Sequence, residues 1–176
     1  NRMRPFDRVT LRTERLLLRP LGLSDAEALF AVFSDPKVMR YWSTAPWTSV
    51  ARAHELIAKD LAAMSAGEYI RLGIETQSDG RLFGMCTLFN LVAQCRRAEG
   101  GYGMASTHWG HGYMHEALAA LLDFGFDELQ LNRVEADVDP RNEASARSLE
   151  RLGFQKEGHL RQRWIVEGEV SDTSLY

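Results

Sequence analysis

The chain has 176 residues, of which 45% are hydrophobic and 26% charged, a composition typical of one compact globular domain. Its net charge of -3 and its pI of about 6.0 argue against the positive field that nucleic-acid binding requires. Neither a secretory leader nor an apolar run of membrane-spanning length is recognisable, and Cys86 and Cys95 lack metal or redox spacing. The sequence therefore predicts one cytoplasmic domain over residues 1–176, with reduced thiols and without a membrane, nucleic-acid or metal partner.

The first part of the chain predicts one strand followed by helices. Residues 9–21 have strand character. Ser24 followed by Glu27 has the spacing of a capping box, which predicts that the first helix begins at Ser24. Residues 48–67 predict a second long helix that ends at a glycine. The apolar stripe expected on this helix consists of Val50, Leu56, Ile57, Leu61 and Met64.

Three strands follow these helices. Residues 69–77 and 81–90 flank an Asp79-Gly80 turn, which is typical of an antiparallel hairpin. Residues 95–105 predict a third strand, in which several glycines favour a bulge or a splay away from the neighbouring strand. These glycines are Gly100, Gly101 and Gly103.

The last part of the chain alternates helices and strands. A helical pattern begins at Tyr113, and its apolar stripe consists of Met114, Ala117, Leu118, Leu121, Gly125 and Leu129. A strand, a short helix and two strands then cover residues 132–139, 140–153, 154–167 and 169–176. Asn142 is the expected N-cap of the short helix, Gly153 its end and Gly168 the final turn. This order predicts an α/β sandwich with a sheet of mixed strand direction.

The stretch STHWGHGYMHEAL, residues 106–118, places glycines on both sides of a histidine just before a helix. Backbone N–H groups at a helix start attract phosphate. A dinucleotide-binding fingerprint would need a glycine where His115 stands, and no P-loop lysine follows. A metal held by His108, His111 and His115, or a turn without any ligand, are the other interpretations.

The motifs W-G-x-G-Y at 109–113, N-x-x-S at 142–145 and L-G-F at 152–154 occur here in one order. With residues 107–172 around them, they resemble the GNAT superfamily of N-acetyltransferases. Residues 11–42 are similar to its ribosomal-protein N-acetyltransferase branch, the Rim type. The resemblance implies a mixed, mostly antiparallel sheet flanked by helices, acetyl-CoA as cosubstrate and a primary amine as acceptor. It leaves a homodimer open.

The resemblance also implies which residues bind acetyl-CoA. The backbone that would contact the pyrophosphate belongs to Gly110, His111, Gly112, Tyr113 and Met114. Independently of the resemblance, a splay of the glycine-rich strand would leave a backbone N–H group near Tyr102 to Ala105 free to face the thioester oxygen, with Met104 and Ala105 as the candidate binding residues. Asn142 would face the pantetheine arm, a role compatible with capping the helix.

Two side chains are candidates for proton transfer. By resemblance Glu99 lies where family members place a base that accepts the amine proton, and its alternative is an ion pair with Arg96 or Arg97. Ser145 would donate to the departing sulfur, or would merely be polar in the first helical turn. Tyr102, Trp109 and Trp164 are interpreted as packing residues.

The acceptor is less defined than the donor. As in the Rim-type branch, a protein N-terminal α-amine is the first hypothesis, and a small amine such as a polyamine or an aminoglycoside is the alternative. A regulator that binds acyl-CoA without turnover is a hypothesis of another class. Residues 35–67 are expected to contribute the acceptor pocket, with Tyr41, Trp42 and Trp47 as candidate walls.

Overall fold

An eight-stranded sheet forms the centre of the computed structural model, which describes residues 4–176. In chain order the strands are β1 (Leu11–Arg12), β2 (Leu16–Arg19), β3 (Ile70–Thr76), β4 (Leu82–Val92), β5 (Arg97–Met104), β6 (Arg133–Val138), β7 (Gly158–Val166) and β8 (Glu169–Leu175). They lie in the order β1-β2-β3-β4-β5-β6-β8-β7, and only the β5–β6 pair is parallel. The expected mixed, mostly antiparallel sheet is confirmed.

Helices cover both faces of the sheet. They are α1 (Ala26–Phe33), α2 (Pro36–Met39), α3 (Val50–Ser65), α4 (Tyr113–Asp127) and α5 (Glu143–Arg151). The first three pack on one face, around Phe33 and Ile57, and we call it the α1–α3 face. Helix α4 packs Leu121 against the other face, the α4 face, and α5 packs Leu149 against β6. Apolar burial on both faces is the main stabilising contribution, as expected for a layered α/β domain.

The predicted start of the first helix is wrong. Residues Leu23–Asp25 form a turn of 3-10 helix, and α1 begins at Ala26. The carboxylate that accepts an N–H group at this end belongs to Asp25, which takes it from Gly22 at 2.8 Å. Arg19 of β2 holds the same carboxylate with two bonds of 2.8 and 2.9 Å. This tertiary ion pair fixes the helix start, and a local spacing rule cannot detect it.

The predicted strand over residues 9–21 is two short strands, β1 and β2, joined by a turn. Thr13 closes the turn, because its hydroxyl oxygen accepts the N–H group of Leu16 at 2.9 Å. Gln77, next to the end of β3, donates its N–H group to the carbonyl of Arg15 at 2.9 Å. The turn carries Arg15 to the start of α4, which becomes important at the candidate site.

The apolar stripe predicted for α3 is wrong at two positions. Ile57 and Met64 are buried as expected, but Val50 and Leu61 are 36% and 38% exposed. Asp60 is buried instead, and Arg71 of β3 donates to both of its oxygens, at 2.8 and 3.0 Å. A buried carboxylate is tolerated when it is paired and hydrogen-bonded, so the helix can turn this polar residue inward.

Candidate active site

Strands β5 and β6 separate halfway along their length. They pair over four positions, from Arg97 with Arg133 to Gly100 with Ala136. Strand β5 then continues along β4 to Met104, whereas β6 continues along β8. The splay predicted from the glycines of β5 is confirmed. Because buried backbone groups need partners, this open strand edge is suited to an extended ligand with amide groups.

The start of α4 follows β5 in the chain, after a turn of 3-10 helix at Ser106–His108. Gly110 and Gly112 have φ angles of 79° and 74°, which glycine adopts without the strain that other residues carry. No atom lies within 4 Å of the place where a Cβ of Gly110 would stand. The N–H groups of the first helical turn have no partner within the helix, and the dipole makes this end positive. The residues therefore fit a pyrophosphate group. We call residues 110–114 the phosphate loop.

Side chains of the phosphate loop point in different directions. His111 is exposed, whereas Met114 is buried against the sheet, so only its backbone could meet a ligand. The guanidinium carbon of Arg15 lies 4.5 Å from the ring centre of Tyr113. Arg15 also donates from Nη1 to the carbonyl oxygen of His111 at 2.9 Å. Sequence reasoning missed Arg15, because nothing local links position 15 to position 111.

The two residues expected near the thioester oxygen are already engaged in the fold. Ala105 donates its N–H group to the carbonyl of Phe83 at 2.8 Å. That N–H group already has a partner in the fold, and the contact of Ala105 with the thioester oxygen stays a prediction. The carbonyl of Met104 accepts the indole N–H group of Trp109 at 3.0 Å. The free backbone edge of β5 accordingly lies before these residues, between Gly100 and Met104.

Helix α5 places the hydroxyl group of Ser145 beside that of Tyr102 at the cleft. Asn142 caps this helix as predicted, since its side chain accepts the N–H group of Ser145 at 3.2 Å. The hydroxyl of Ser145 is hydrogen-bonded to the hydroxyl of Tyr102 on β5. Burial raises the pKa of Tyr102 well above its ordinary value, so its phenol stays protonated and can donate at neutral pH. The interpretation of Tyr102 as a packing residue alone is therefore incomplete.

Glu99 lies on the other face of β5. It is paired in register with Phe89 of β4, and its carboxylate accepts a hydrogen bond from the side-chain amide of Asn90. Neither alternative partner holds it in the described part of the chain, because Arg97 faces Glu135 at 4.0 Å instead. Asn90 has a φ of 50°, where the β4–β5 register shifts. This backbone irregularity turns the amide toward Glu99.

Strand alternation separates the two candidate proton-transfer groups. Tyr102 packs against the core of the α4 face. Gly103 faces the other way, because a Cβ there would meet Phe33 and Trp42 at 2.7 Å. Glu99 is an even number of residues from Gly103 and therefore shares the α1–α3 face with it. A ligand in the cleft would have a carboxylate on one side and hydroxyl groups on the other.

The three aromatic residues expected to form the acceptor pocket have different surroundings. Trp42 packs on Phe33 with ring centres 4.8 Å apart and lies over Gly103. Trp47 is buried in the same core. Tyr41 lies between the guanidinium groups of Arg40 and Arg141, at 4.9 and 5.3 Å. Trp42 and Tyr41 thus border the α1–α3 side of the cleft, whereas Trp47 packs on Phe33 with ring centres 5.2 Å apart.

The histidines near the phosphate loop do not converge. The ring of His108 stacks on Phe83 with centres 4.1 Å apart, and burial lowers its pKa. Within residues 4–176, no three His, Cys, Asp or Glu side chains are grouped as metal ligands. The same range contains no helix that combines the length and apolar character needed to cross a membrane. Cys86 and Cys95 are both free thiols, and burial raises the pKa of Cys86 to about 12.

A strand edge open to an extended ligand and a helix start suited to pyrophosphate are the features that a transferase needs to hold a CoA thioester. Residues 15–155 match the family model described as an acetyltransferase (GNAT) domain. The chain belongs to the GNAT acetyltransferase family. It is an N-acetyltransferase, and acetyl-CoA is its cosubstrate.

Relatives and solved structures cover almost the whole chain. The "Uncharacterized N-acetyltransferase p20" of Bacillus licheniformis is 39% identical over 168 residues, which are 95% of this chain and 94% of the relative. Spermidine N-acetyltransferase from Vibrio cholerae, solved with CoA and spermine, gives a TM-score of 0.82 at 25% identity, over 93% and 94% of the two chains. RimJ of Mycobacterium smegmatis, solved with CoA-disulfide, gives 0.80 at 29% identity, over 91% of this chain and 79% of that one.

Proposed function

We propose that this N-acetyltransferase acts on the N-terminal α-amine of a protein or peptide. The observation that carries the proposal is the state of the buried acidic residues on the α1–α3 face. Asp25 and Glu75 are both held by Arg19, and Asp60 is held by Arg71. A polyamine carries several positive charges and needs several free carboxylates, whereas one α-amine needs a single base. Glu99, bonded only to an amide, can serve as that base.

The acceptor's own basicity supports the same choice. An α-amine has a pKa near 8, so an appreciable fraction is neutral at physiological pH, whereas a lysine amine at about 10.4 is almost fully charged. One carboxylate is therefore sufficient for an α-amine. The similarity to a "putative ribosomal-protein-serine acetyltransferase" from Vibrio cholerae agrees with a protein acceptor, and the similarity to a spermidine acetyltransferase keeps a polyamine as the second candidate.

The chain's own groups would hold the cosubstrate at three places. Backbone N–H groups of the phosphate loop would bind its pyrophosphate. The open edge of β5 would bind its pantetheine arm, and the side-chain amide of Asn142 remains available as a donor beside it. Acetyl-CoA supplies the acetyl group as a thioester, whose carbonyl carbon accepts the amine nitrogen.

Glu99 would accept a proton during the reaction, and the hydroxyl pair, Ser145 and Tyr102, would donate one. Glu99 takes the proton that the amine releases as the new N–C bond forms, and later passes it to solvent. Ser145 donates a hydrogen bond to the sulfur as the C–S bond breaks, and Tyr102, bonded to Ser145, supplies the proton through it. Solvent then restores the proton to the hydroxyl pair, so that the products are an amide and a free thiol.

A ligand-dependent melting experiment tests the donor site. At a hundredfold excess over its Kd, acetyl-CoA should stabilise the fold by about 2.7 kcal/mol, or roughly 5–10 °C in Tm. ATP and NAD should shift the Tm far less, because the phosphate loop lacks the lysine or third glycine of their usual sites. An equal shift with ATP would contradict the assignment of the phosphate loop.

Thiol release from acetyl-CoA with matched acceptors tests the acceptor class. A peptide with a free N-terminus should be acetylated, and the same peptide with a blocked N-terminus and an internal lysine should react much more slowly. Spermidine should also be a poor acceptor. Faster turnover with spermidine than with any peptide would establish the polyamine alternative. Acetyl-CoA binding without turnover on a broad panel of amines would indicate a regulator.

Glu99→Gln tests the base. Turnover should fall most near neutral pH, where most α-amine is protonated, and should recover partly as the pH rises above about 8 and the free amine forms without help. The check is a pH profile of kcat/KM together with the Kd for CoA, which should barely change. A loss of equal size at every pH would show that Glu99 positions the acceptor or supports β5 instead.

Asn90→Gly is the matched variant for this experiment. It removes the amide that holds Glu99, and glycine adopts the φ of 50° at position 90 without strain. A smaller loss with the same pH dependence should result, because the carboxylate remains but is less well oriented.

A further inference from the structure

We propose that Arg15 is a positioning residue that aims the phosphate loop at the pyrophosphate of acetyl-CoA. The inference rests on the proposed donor site. Arg15 lies in the turn between β1 and β2, far from the loop in sequence. Its Nη1 donates to the carbonyl oxygen of His111 at 2.9 Å, and its guanidinium lies against the ring of Tyr113. Arg15 therefore contacts the residue before Gly112, His111, and the residue after it, Tyr113.

Glu116 fixes the guanidinium in this position. Its Oε1 accepts from Nε of Arg15 at 2.8 Å, and its Oε2 accepts the backbone N–H group of Arg15 at 2.9 Å. The hydroxyl of Thr13 donates to Oε2 at 2.5 Å. Burial alone would raise the pKa of Glu116, but the hydrogen bonds from Thr13 and Arg15 outweigh it and lower the pKa. Glu116 is accordingly charged at neutral pH, and its hydrogen bonds join the β1–β2 turn to the first turn of α4.

The bond to His111 determines the direction of the next N–H group. A peptide unit is planar and trans, so the carbonyl of His111 and the N–H group of Gly112 point in opposite directions. While Arg15 holds this carbonyl on its own side, the N–H group of Gly112 faces away from Arg15. Gly112 itself has a φ of 74° and can rotate more freely than other residues. Without Arg15, the peptide between residues 111 and 112 would be free to turn.

Arg15 differs from a phosphate ligand in its geometry. Its Nη2 lies 3.5 Å from the place of a Cβ on Gly112, so the guanidinium occupies the side of Gly112 on which a side chain would stand. What the loop gains from Arg15 is a fixed orientation, not an added positive charge. A lysine at position 15 keeps the charge but cannot bond His111 and Glu116 at once, because an ammonium group lacks the planar fork of donors.

Two thioesters separate this role from general support of the fold. Acetyl-CoA contains the pyrophosphate, and S-acetylpantetheine carries the same acetyl thioester without it. Arg15→Ala should raise the Kd for CoA, measured by calorimetry, and the KM for acetyl-CoA by about ten- to a hundredfold, as expected for loss of charge-assisted contacts. Its kcat/KM with S-acetylpantetheine should equal that of the unmodified chain. Arg15→Lys should show nearly the same loss.

Arg12→Ala is the control, because Arg12 is exposed on β1 and its replacement removes the same charge from the same hairpin. Its CoA affinity should be unchanged. Glu116→Gln should weaken CoA binding in the same direction as Arg15→Ala. Arg15→Lys also guards against misfolding, because the Arg15 side chain is 43% exposed and a lysine fits there.

The outcomes distinguish the inference from the function on which it rests. Failure of the unmodified chain to bind CoA would overturn the donor site itself. Normal CoA binding by the unmodified chain and by Arg15→Ala alike would overturn the role of Arg15 alone. Full recovery in Arg15→Lys would show that charge suffices, and an equal loss with S-acetylpantetheine would show general support of the fold. Either result also rejects the positioning role.

Discussion

Gly112→Val should fold and bind acetyl-CoA about a hundredfold more weakly, because misdirected N–H groups lose charge-assisted bonds to the pyrophosphate. Two changes combine at this position. A β-branched residue is strained at a φ of 74°. Its Cβ would stand 3.5 Å from Nη2 of Arg15, which is an ordinary contact, but the γ-methyl groups would extend further and displace the guanidinium. Calorimetry with CoA measures the loss directly.

Gly168→Val separates strain from ligand binding. Gly168 has a φ of 80° in the turn between β7 and β8, and nothing lies within 4 Å of its Cβ position. The two variants should therefore lose similar stability, of the order of 1–3 kcal/mol, while only Gly112→Val loses CoA affinity. Gly112→Ala should be milder than valine, since a single methyl group fits beside Arg15. If a folded Gly112→Val variant binds CoA with wild-type affinity, the pyrophosphate does not bind at this loop.

Ser145→Ala should lower turnover about ten- to a hundredfold while leaving the Kd for acetyl-CoA nearly constant. The hydrogen bond to sulfur strengthens only as the C–S bond breaks, so it affects the rate more than the binding. A thiolate with a pKa near 8.5 leaves tolerably without help, which limits the loss. Alanine has a better helix propensity than serine, so the free energy of unfolding should change little. Single-turnover rates isolate the chemical step.

Tyr102→Phe is the partner variant, because the hydroxyls of Tyr102 and Ser145 are bonded to each other. If both act on one proton, the double variant should be scarcely slower than the slower single variant. Asn142→Ala is the contrast: loss of its cap should cost about 1 kcal/mol of stability. If the double variant loses the product of the two single losses in turnover, the two hydroxyls act independently. Wild-type turnover in Ser145→Ala, under conditions in which chemistry is rate-limiting, would show that Ser145 is only a polar residue of the first helical turn.

Local patterns predict most elements of the fold. The Asp79-Gly80 hairpin, the helix start at Tyr113 and the Asn142 cap follow from the chemistry of neighbouring residues, and the structure confirms them. The exceptions have tertiary causes. Arg19 moves the start of α1 by capturing Asp25, and Arg71 lets α3 bury Asp60. An ion pair between distant elements leaves no periodic signal in either element.

The candidate site follows the same division. Phosphate-loop glycines and the Ser145 position can be recognised because their motifs are contiguous. Arg15, Asn90 and Tyr102 could not be identified, because each acts on a residue from another element or on the far side of a register shift. Of the three, Tyr102 had the clearest signal in the sequence, because it carries the one hydroxyl group among the glycines of β5. The roles of Glu99 and Ser145 stay predictions until the variants are measured.

The four-position contact between β5 and β6 also has a consequence for the order in which the molecule assembles. Strands β1 to β5 are neighbours in space in the order of the chain, and all of them lie before residue 105, so a growing chain contains every one of their partners early. Strand β6 can join only after α4 has crossed the sheet, and it receives β8 from a later segment. We therefore expect a nascent chain to form a five-stranded intermediate before it has any cleft. Its capacity to bind the cosubstrate would then appear late, when the two halves of the sheet meet.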